Sequence, residues 1–333
     1  MKPEQITDKK ILEWLLEREN PSVRYFTFTK LQGRTDSDEK VKEAKAAIMK
    51  TGIVPEILAR QSEANCWDLP HRFYIGKYTG TVWQLIILAE LGADGNNPKI
   101  RKACEFILEN SQDPESYAFS VYKNAKTSGG RQGDIIPCLT GNLLFSLIKL
   151  GLTDDVRVRK GIEWICNYQR CDDAIAEAPS GFPYDKYPIC WGKHTCHMGV
   201  VKVLKALSAL PEDKRDKNVK DKINELAEYM LIHHIYRKSH NLKASSKPGW
   251  LKFGFPLMYQ TDILEILDIL VSLGYYDTRM AEAIEILKKK QNEEKSWNLE
   301  NTFNGKMGVT IETKGKPSKW ITLKALNVLS KYY

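Results

Sequence analysis

Residues 78–92 (YTGTVWQLIILAELG), 138–151 (CLTGNLLFSLIKLG) and 196–211 (CHMGVVKVLKALSALP) share a small-residue start, an apolar stripe and a Leu-Gly or Leu-Pro exit. Their apolar positions recur at the helical period, so each reads as an α-helix buried on most of its surface. Residues 259–274 (YQTDILEILDILVSLG) and 318–332 (SKWITLKALNVLSKY) are looser copies of the same pattern. Each of the first four is followed by a more charged run, over 98–110, 156–169, 218–234 and 278–291. The unit is therefore an apolar inner helix followed by a polar outer one, with a period of roughly 60 residues. No run of alternating β-branched residues is long enough to make a sheet, and the fold class expected is all-α.

Working outward, residues 10–19 (KILEWLLERE) read as a short helix closed by Asn20-Pro21, and 21–33 as a second, with Pro21 in its first turn and Gly33 at its end. A third spans 37–50, breaks near Gly52 and resumes over 54–61. Asn20-Pro-Ser-Val-Arg24 is similar to the opening of a HEAT repeat, which makes an open solenoid one candidate architecture. A second recurring element follows the outer helices. Gln61–Trp67 (QSEANCW) and Gln291–Trp297 (QNEEKSW) both place Trp six residues after Gln, and Ser116-Tyr117 and residues 169–175 (QRCDDAI) are weaker versions.

In this element the chain resembles the prenyltransferase and squalene-cyclase repeat proteins, whose repeats carry Gln-x-x-x-Gly-x-Trp after an outer helix. Asn65 and Lys295 stand where that motif has glycine. The resemblance covers nearly the whole chain at the level of repeat pattern. It implies one α/α-toroid domain over 1–333, with N-terminal helices in 1–67, repeats in 68–333, and about six inner and six outer helices. The 10–19 helix would then partner the inner helix that begins at Ser318, closing the ring. HEAT arrays lack the Gln…Trp element, which places the ring ahead of the solenoid.

The densest set of metal-binding groups is residues 189–199 (ICWGKHTCHMG), with Cys190, His194, Cys196 and His197. Aligning the inner helices on Cys-x-x-Gly places Cys138 and Cys196 at the same position in successive repeats. Thiolate with imidazole is a zinc donor set. The expected ligands are Cys138, Cys190 and Cys196, with His194 or His197 as the fourth and Cys171 in reserve. The alternative is a group of reduced, half-buried cysteines with histidines capping a loop. Cys104 and Cys166 fall in outer helices and read as small buried hydrophobes.

Residues 236–260 form a basic loop interleaved with aromatics. Arg237, Lys238, His240, Lys247 and Lys252, together with Trp250 and Tyr259, are candidates to hold a phosphate or diphosphate whose hydrocarbon enters an aromatic-lined cavity. The other reading is a solvated loop whose aromatics, Phe253 and Phe255 among them, plug the core. The family resemblance implies an isoprenoid diphosphate, an apolar bore for its chain, and a transferase or cyclase of prenyl or terpenoid type. Neither the Asp-x-Cys of the protein prenyltransferases nor the Asp-x-Asp-Asp of the cyclases occurs in the chain. Two further readings are a carbohydrate-active α6/α6 enzyme using carboxylates among Asp134, Asp262 and Glu265, and a non-catalytic binding ring with structural zinc.

Composition sets the outer bounds. At 333 residues and 42% hydrophobic content the chain can bury a large core. No apolar run approaches the ~18 residues of a membrane span and the first ten residues are polar, so a cytoplasmic protein without transmembrane segment or signal peptide is expected. Seven cysteines, an odd number, point to reduced thiols or metal ligation. The net charge of +8 is compatible with anionic partners, but a solvated surface mildly rich in lysine accounts for it more simply. Nucleic acid is not expected among them, because no recognition motif occurs and the basic excess is confined to one loop.

Overall fold

The computed structural model describes residues 8–171, 177–192, 195–239 and 241–333. The fold is all-α; among the described residues the strands are one short hairpin, β1 (Arg237–Lys238) with β2 (Asn241–Ser245), and a few isolated bridges. Helix α1 (Lys9–Leu15) is followed by α2 (Pro21–Phe26), which continues as a π-helical turn over Thr27–Leu31, and then by α3 (Glu39–Ile48) and α4 (Ile53–Ala59). The repeats supply α5 (Thr81–Glu90), α6 (Pro98–Asn110), α7 (Pro137–Lys149) and α8 (Val156–Tyr168). A single turn, α9 (Pro188–Trp191), precedes α10 (His197–Ser208), α11 (Lys217–Ile232), α12 (Ile263–Ser272), α13 (Ala281–Lys289) and α14 (Lys319–Tyr332).

The apolar runs form the inner helices as the patterning requires. Every residue of α5 from Thr81 to Ala89 and of α7 from Pro137 to Ile148 is buried. The outer helices α3, α6, α8 and α11 start at Asp38, Asn97, Asp155 and Asp216, whose side chains accept from first-turn N–H groups. The Leu-Gly exits are explained by backbone geometry. Gly92, Gly151 and Gly274 sit at φ of +72, +81 and +84°, and the next residue donates back to the last turn, so each inner helix ends in a left-handed turn that glycine adopts without strain.

The inner helices touch in series: α5 on α7, α7 on α10, α10 on α12, α12 on α14, and α14 on α2 and its π turn. Phe26 of α2 also lies against Gly92 at the end of α5. The α7–α10 crossing is the tightest of these. A Cβ on Gly141 would stand 2.5 Å from the backbone of Lys202, and one on Gly199 would stand 2.9 Å from the Pro137 ring. The two Cys-x-x-Gly segments are thus places of close approach between α7 and α10, backbone against backbone at Gly141 and backbone against a proline ring at Gly199. Helix α1 packs on α14, where Leu15 is fully buried and Glu17 pairs with Lys319. It ends at Leu15 rather than at Glu19, and α13 starts at Ala281 after a 3-10 turn over Thr278–Met280; the 237–245 hairpin and α9 lie in loops where the sequence carried no period to reveal them.

The Gln…Trp element has one geometry in three places. Trp67 and Trp297 donate their indole N–H to Ile57 and Leu287 at 2.8 Å, and their backbone N–H to Thr81 and Thr322 at 3.1 Å. The amides of Gln61 and Gln291 donate to the carbonyls of Asn65 and Lys295 at 3.2 and 3.1 Å. Gln112 does the same to Tyr117 at 2.8 Å, and Phe119 takes the place of the tryptophan, its N–H donating to Thr140 at 3.1 Å. Asn65, Tyr117 and Lys295 all have φ near +60°. For a residue other than glycine this costs on the order of 1–2 kcal/mol. Lys295→Gly is accordingly expected to stabilise the chain by about 1 kcal/mol. Chemical denaturation measures this, and unchanged or lower stability would contradict the strain argument.

Candidate ligand cavity and the charged interior

Cys138 is buried in the first turn of α7, Cys190 lies half-buried in α9, and Cys196 occupies the N-cap of α10, its side chain accepting no cap hydrogen bond. The three thiols act on one another electrostatically. Burial pushes Cys138 up to about 12, with Cys196 and Cys190 adding to the rise, and pushes Cys190 up to about 11, with Cys196 adding. His194 and His240 lie outside the described residues. Among the described residues no three His, Cys, Asp or Glu groups stand close enough to hold one metal ion. His197 places its Nε2 3.2 Å from Ser239 Oγ, and its ring packs against Tyr229, His233 and Trp250. Cys104 and Cys166 are buried in α6 and α8, and burial raises both to about 12.

The start of α10 and the basic loop share a cavity of about 410 Å³, lined by Cys196, His197 and Met198 on one side, Lys238, Ser239, Lys247 and Trp250 on the other, and Ile189 at its edge. The hairpin carries Lys238 to this place, and a 3-10 turn over Pro248–Leu251 buries Trp250 behind it. The remaining candidates are divided among other surroundings. Arg237 is ion-paired with Glu282 of α13 and donates to the Lys243 carbonyl at 3.1 Å, while Lys252 is exposed outside the cavity lining. Phe253 and Phe255 are buried, Phe255 stacking on Trp320 at 4.2 Å, so that part of the loop does plug the core.

Tyr259 belongs to an aromatic group that the sequence reading did not assemble. It lies 6.3 Å from Tyr78 and 6.1 Å from Trp83, and Tyr74 is 5.1 Å from the same indole. Lys77 holds its ammonium 4.7 Å from the Tyr259 ring and 5.4 Å from Tyr74, a cation–π arrangement. A hydrogen bond from Tyr78 holds Tyr259 below the usual phenol value. Tyr74 and Trp83 come from a loop and a helix five residues beyond Tyr78, and no periodicity ties them to Tyr259.

The interior between the inner helices is charged. Lys202 is wholly buried and holds Glu265 by two bonds of 2.7 and 2.9 Å; Lys205 reaches Glu265 at 2.8 Å and also pairs with Glu90. Lys324 stands 3.7 Å from Glu90, and Lys30 stands 3.6 Å from Asp268. The signal was present in the sequence as Lys202 and Lys205, and Glu265 and Asp268, three apart within otherwise apolar runs. The carboxylates considered for glycoside chemistry are all engaged. Asp134 accepts from Tyr187 at 3.0 Å and pairs with Arg131, and Asp262 caps α12 while accepting from Gly254 at 2.9 Å. Glu265 is the partner of two lysines.

Burial alone would raise Glu265, but Lys202, Lys205 and Lys324 hold it down at about 2, below the ordinary carboxylate value of 4.5. Its folded-state pKa is therefore depressed: the stability it supplies is complete above pH 4.5 and is lost as pH falls toward 2. Glu265→Gln leaves the Lys202 ammonium buried without its closest counter-charge, and a loss of about 3–5 kcal/mol at pH 7 is expected. The variant should also lose less further stability than the parent between pH 5 and pH 3. Denaturant midpoints at the two pH values test this, and parallel pH profiles would refute it.

No family model matches the chain, and no curated protein matches it. Among solved structures it is similar to a protein from Actinoplanes at 12% sequence identity and a TM-score of 0.43, the match covering 94% of this chain and 88% of that one.

Proposed function

We propose that the chain is a divergent α/α toroid of the prenyltransferase and squalene-cyclase repeat type that binds a small amphiphilic anion, an isoprenoid diphosphate or a molecule of like chemistry, at the cavity beside the start of α10. The ring is supported by the serial contacts of the inner helices and by the thrice-repeated Gln…Trp geometry. The observation that carries the ligand reading is the cavity itself. Two lysines from the hairpin loop, Lys238 and Lys247, share one volume of about 410 Å³ with the apolar side chains of Ile189, Met198 and Trp250. An ammonium pair suits a diphosphate, and the apolar wall suits a short hydrocarbon. The space between the inner helices suits that hydrocarbon poorly, because the ion pairs of Lys202 and Lys205 with Glu265 occupy it. The chain of the ligand therefore lies along the cavity wall.

Affinity of the full chain for a short isoprenoid diphosphate is to be measured by calorimetry. The double change Lys238→Gln, Lys247→Gln is expected to cost about 1.5–3 kcal/mol, and added salt should weaken binding by the parent more than by the variant. Absence of diphosphate binding, or equal binding by the variant, would overturn the reading.

A zinc ion is proposed separately, with thiols from Cys138, Cys190 and Cys196 and with His194 or His197 as fourth ligand. What supports it is the donor chemistry of three thiols that act on one another electrostatically. When bound, zinc would hold those sulfurs as thiolates against a burial that otherwise favours the protonated form. Protein purified without chelator is expected to carry one equivalent of zinc, lost in Cys190→Ser, Cys196→Ser. Metal-free protein whose seven cysteines all react with a thiol reagent would end this part of the proposal.

A further inference from the structure

A second cavity of about 180 Å³ opens at the far end of the inner helices, away from the cysteines and the basic loop. The last turns of α5, α7, α10 and α12 contribute Glu90, Lys149, Ser208 and Ser272, α2 and its π turn contribute Phe26 and Lys30, and α14 contributes Trp320 and Lys324. One ammonium at one helix C-terminus is ordinary, since it meets the negative end of the helix dipole. Here four lysines, Lys30, Lys149, Lys205 and Lys324, converge on one volume.

The carboxylates present do not saturate them. Glu265 is taken by Lys202 and Lys205, and Glu90 by Lys205 with Lys324 only at 3.7 Å. Asp268 holds Lys30 only at 3.6 Å and accepts from Asn327 Nδ2 at 2.6 Å. Among the described residues no carboxylate forms an ion pair with Lys149, although Glu90 and Asp36 attract its charge from farther off. Its side chain is exposed, yet protein atoms surround it closely enough that burial, with the Lys30 charge adding, pulls its ammonium below the usual lysine value. Reachable and poorly solvated together describe a cation that gains from an incoming anion. Phe26, Phe145, Ile269 and Trp320 supply the apolar remainder of the wall.

We propose that this cavity is a second binding site, for a compact anion whose phosphate or carboxylate group sits among Lys149, Lys30 and Lys324 and whose small apolar body lies against Phe145 and Trp320. It is distinct from the cavity at the start of α10, with which it shares no lining residue.

Phenyl phosphate and benzoate serve as probes, titrated by calorimetry into the full chain. Binding of phenyl phosphate alone assigns a phosphate ligand, binding of both assigns the wider class of anions, and binding of benzoate alone assigns a carboxylate; each supports the site. Lys149→Gln should weaken the bound probe about tenfold or more, and Lys149→Arg should stay close to the parent. Lys238→Gln, Lys247→Gln should leave the probe's affinity unchanged, whatever it does to isoprenoid diphosphate. Lys149 has no ion pair to lose, so melting temperature and far-ultraviolet circular dichroism should match the parent and show that Lys149→Gln is folded. Failure of both probes to bind at millimolar concentration, parental affinity in Lys149→Gln, or loss confined to the Lys238, Lys247 variant would overturn the proposal.

Discussion

A fully buried lysine is the constraint around which the interior is arranged. Taking the Lys202 ammonium out of water costs several kcal/mol unless a counter-charge and hydrogen bonds replace the lost solvation. Glu265 supplies both through its two bonds to Lys202. Because Glu265 also binds Lys205, and Lys205 binds Glu90, the charges of α5, α10 and α12 must be placed together. A shift of any one of these helices along its neighbour would strand a charge. The pair therefore fixes helix register in a way that an all-apolar stripe, tolerant of sliding, would not.

That register carries through to the functional surfaces. With Lys202 fixed, Gly141 of α7 is pressed against its backbone, and the matching contact of Gly199 on Pro137 brings the starts of α7 and α10 side by side. Cys138 and Cys196 become neighbours for this reason, and Cys196 with the residues after it forms one wall of the cavity whose other wall the hairpin loop provides. At the opposite ends of the same helices, the alignment gathers the lysines of the second cavity.

Helix identity and pairing were legible because burial imposes a period on a helix, and the charged outer members announced themselves by contrast. The Cys138–Cys196 proximity was legible through Cys-x-x-Gly, since both glycines mark the same backbone contact. The loops were not. Whether Lys238 or Arg237 faces a cavity depends on a two-residue strand and on Glu282, which is 45 positions away from Arg237. Tyr259 was grouped with Trp250 on proximity in sequence, yet packing sends it to Tyr78 and Trp83. The apolar bore expected from family resemblance is replaced by ion pairs, although Lys202 and Glu265 could be seen interrupting their stripes.

The left-handed residues at Asn65, Tyr117 and Lys295 bear on how such chains are recognised. In each copy the glutamine amide holds the carbonyl of the residue that would otherwise be glycine, and the following aromatic is pinned at its backbone by a threonine of the next inner helix. With the turn clamped from both sides, its shape survives a side chain that pays a small steric cost. A search pattern that insists on glycine passes over all three copies, and one that insists on tryptophan passes over the second. The turn is set by its clamps, a glutamine before it and a threonine fourteen to twenty-five positions beyond the aromatic residue, more than by the residues they hold.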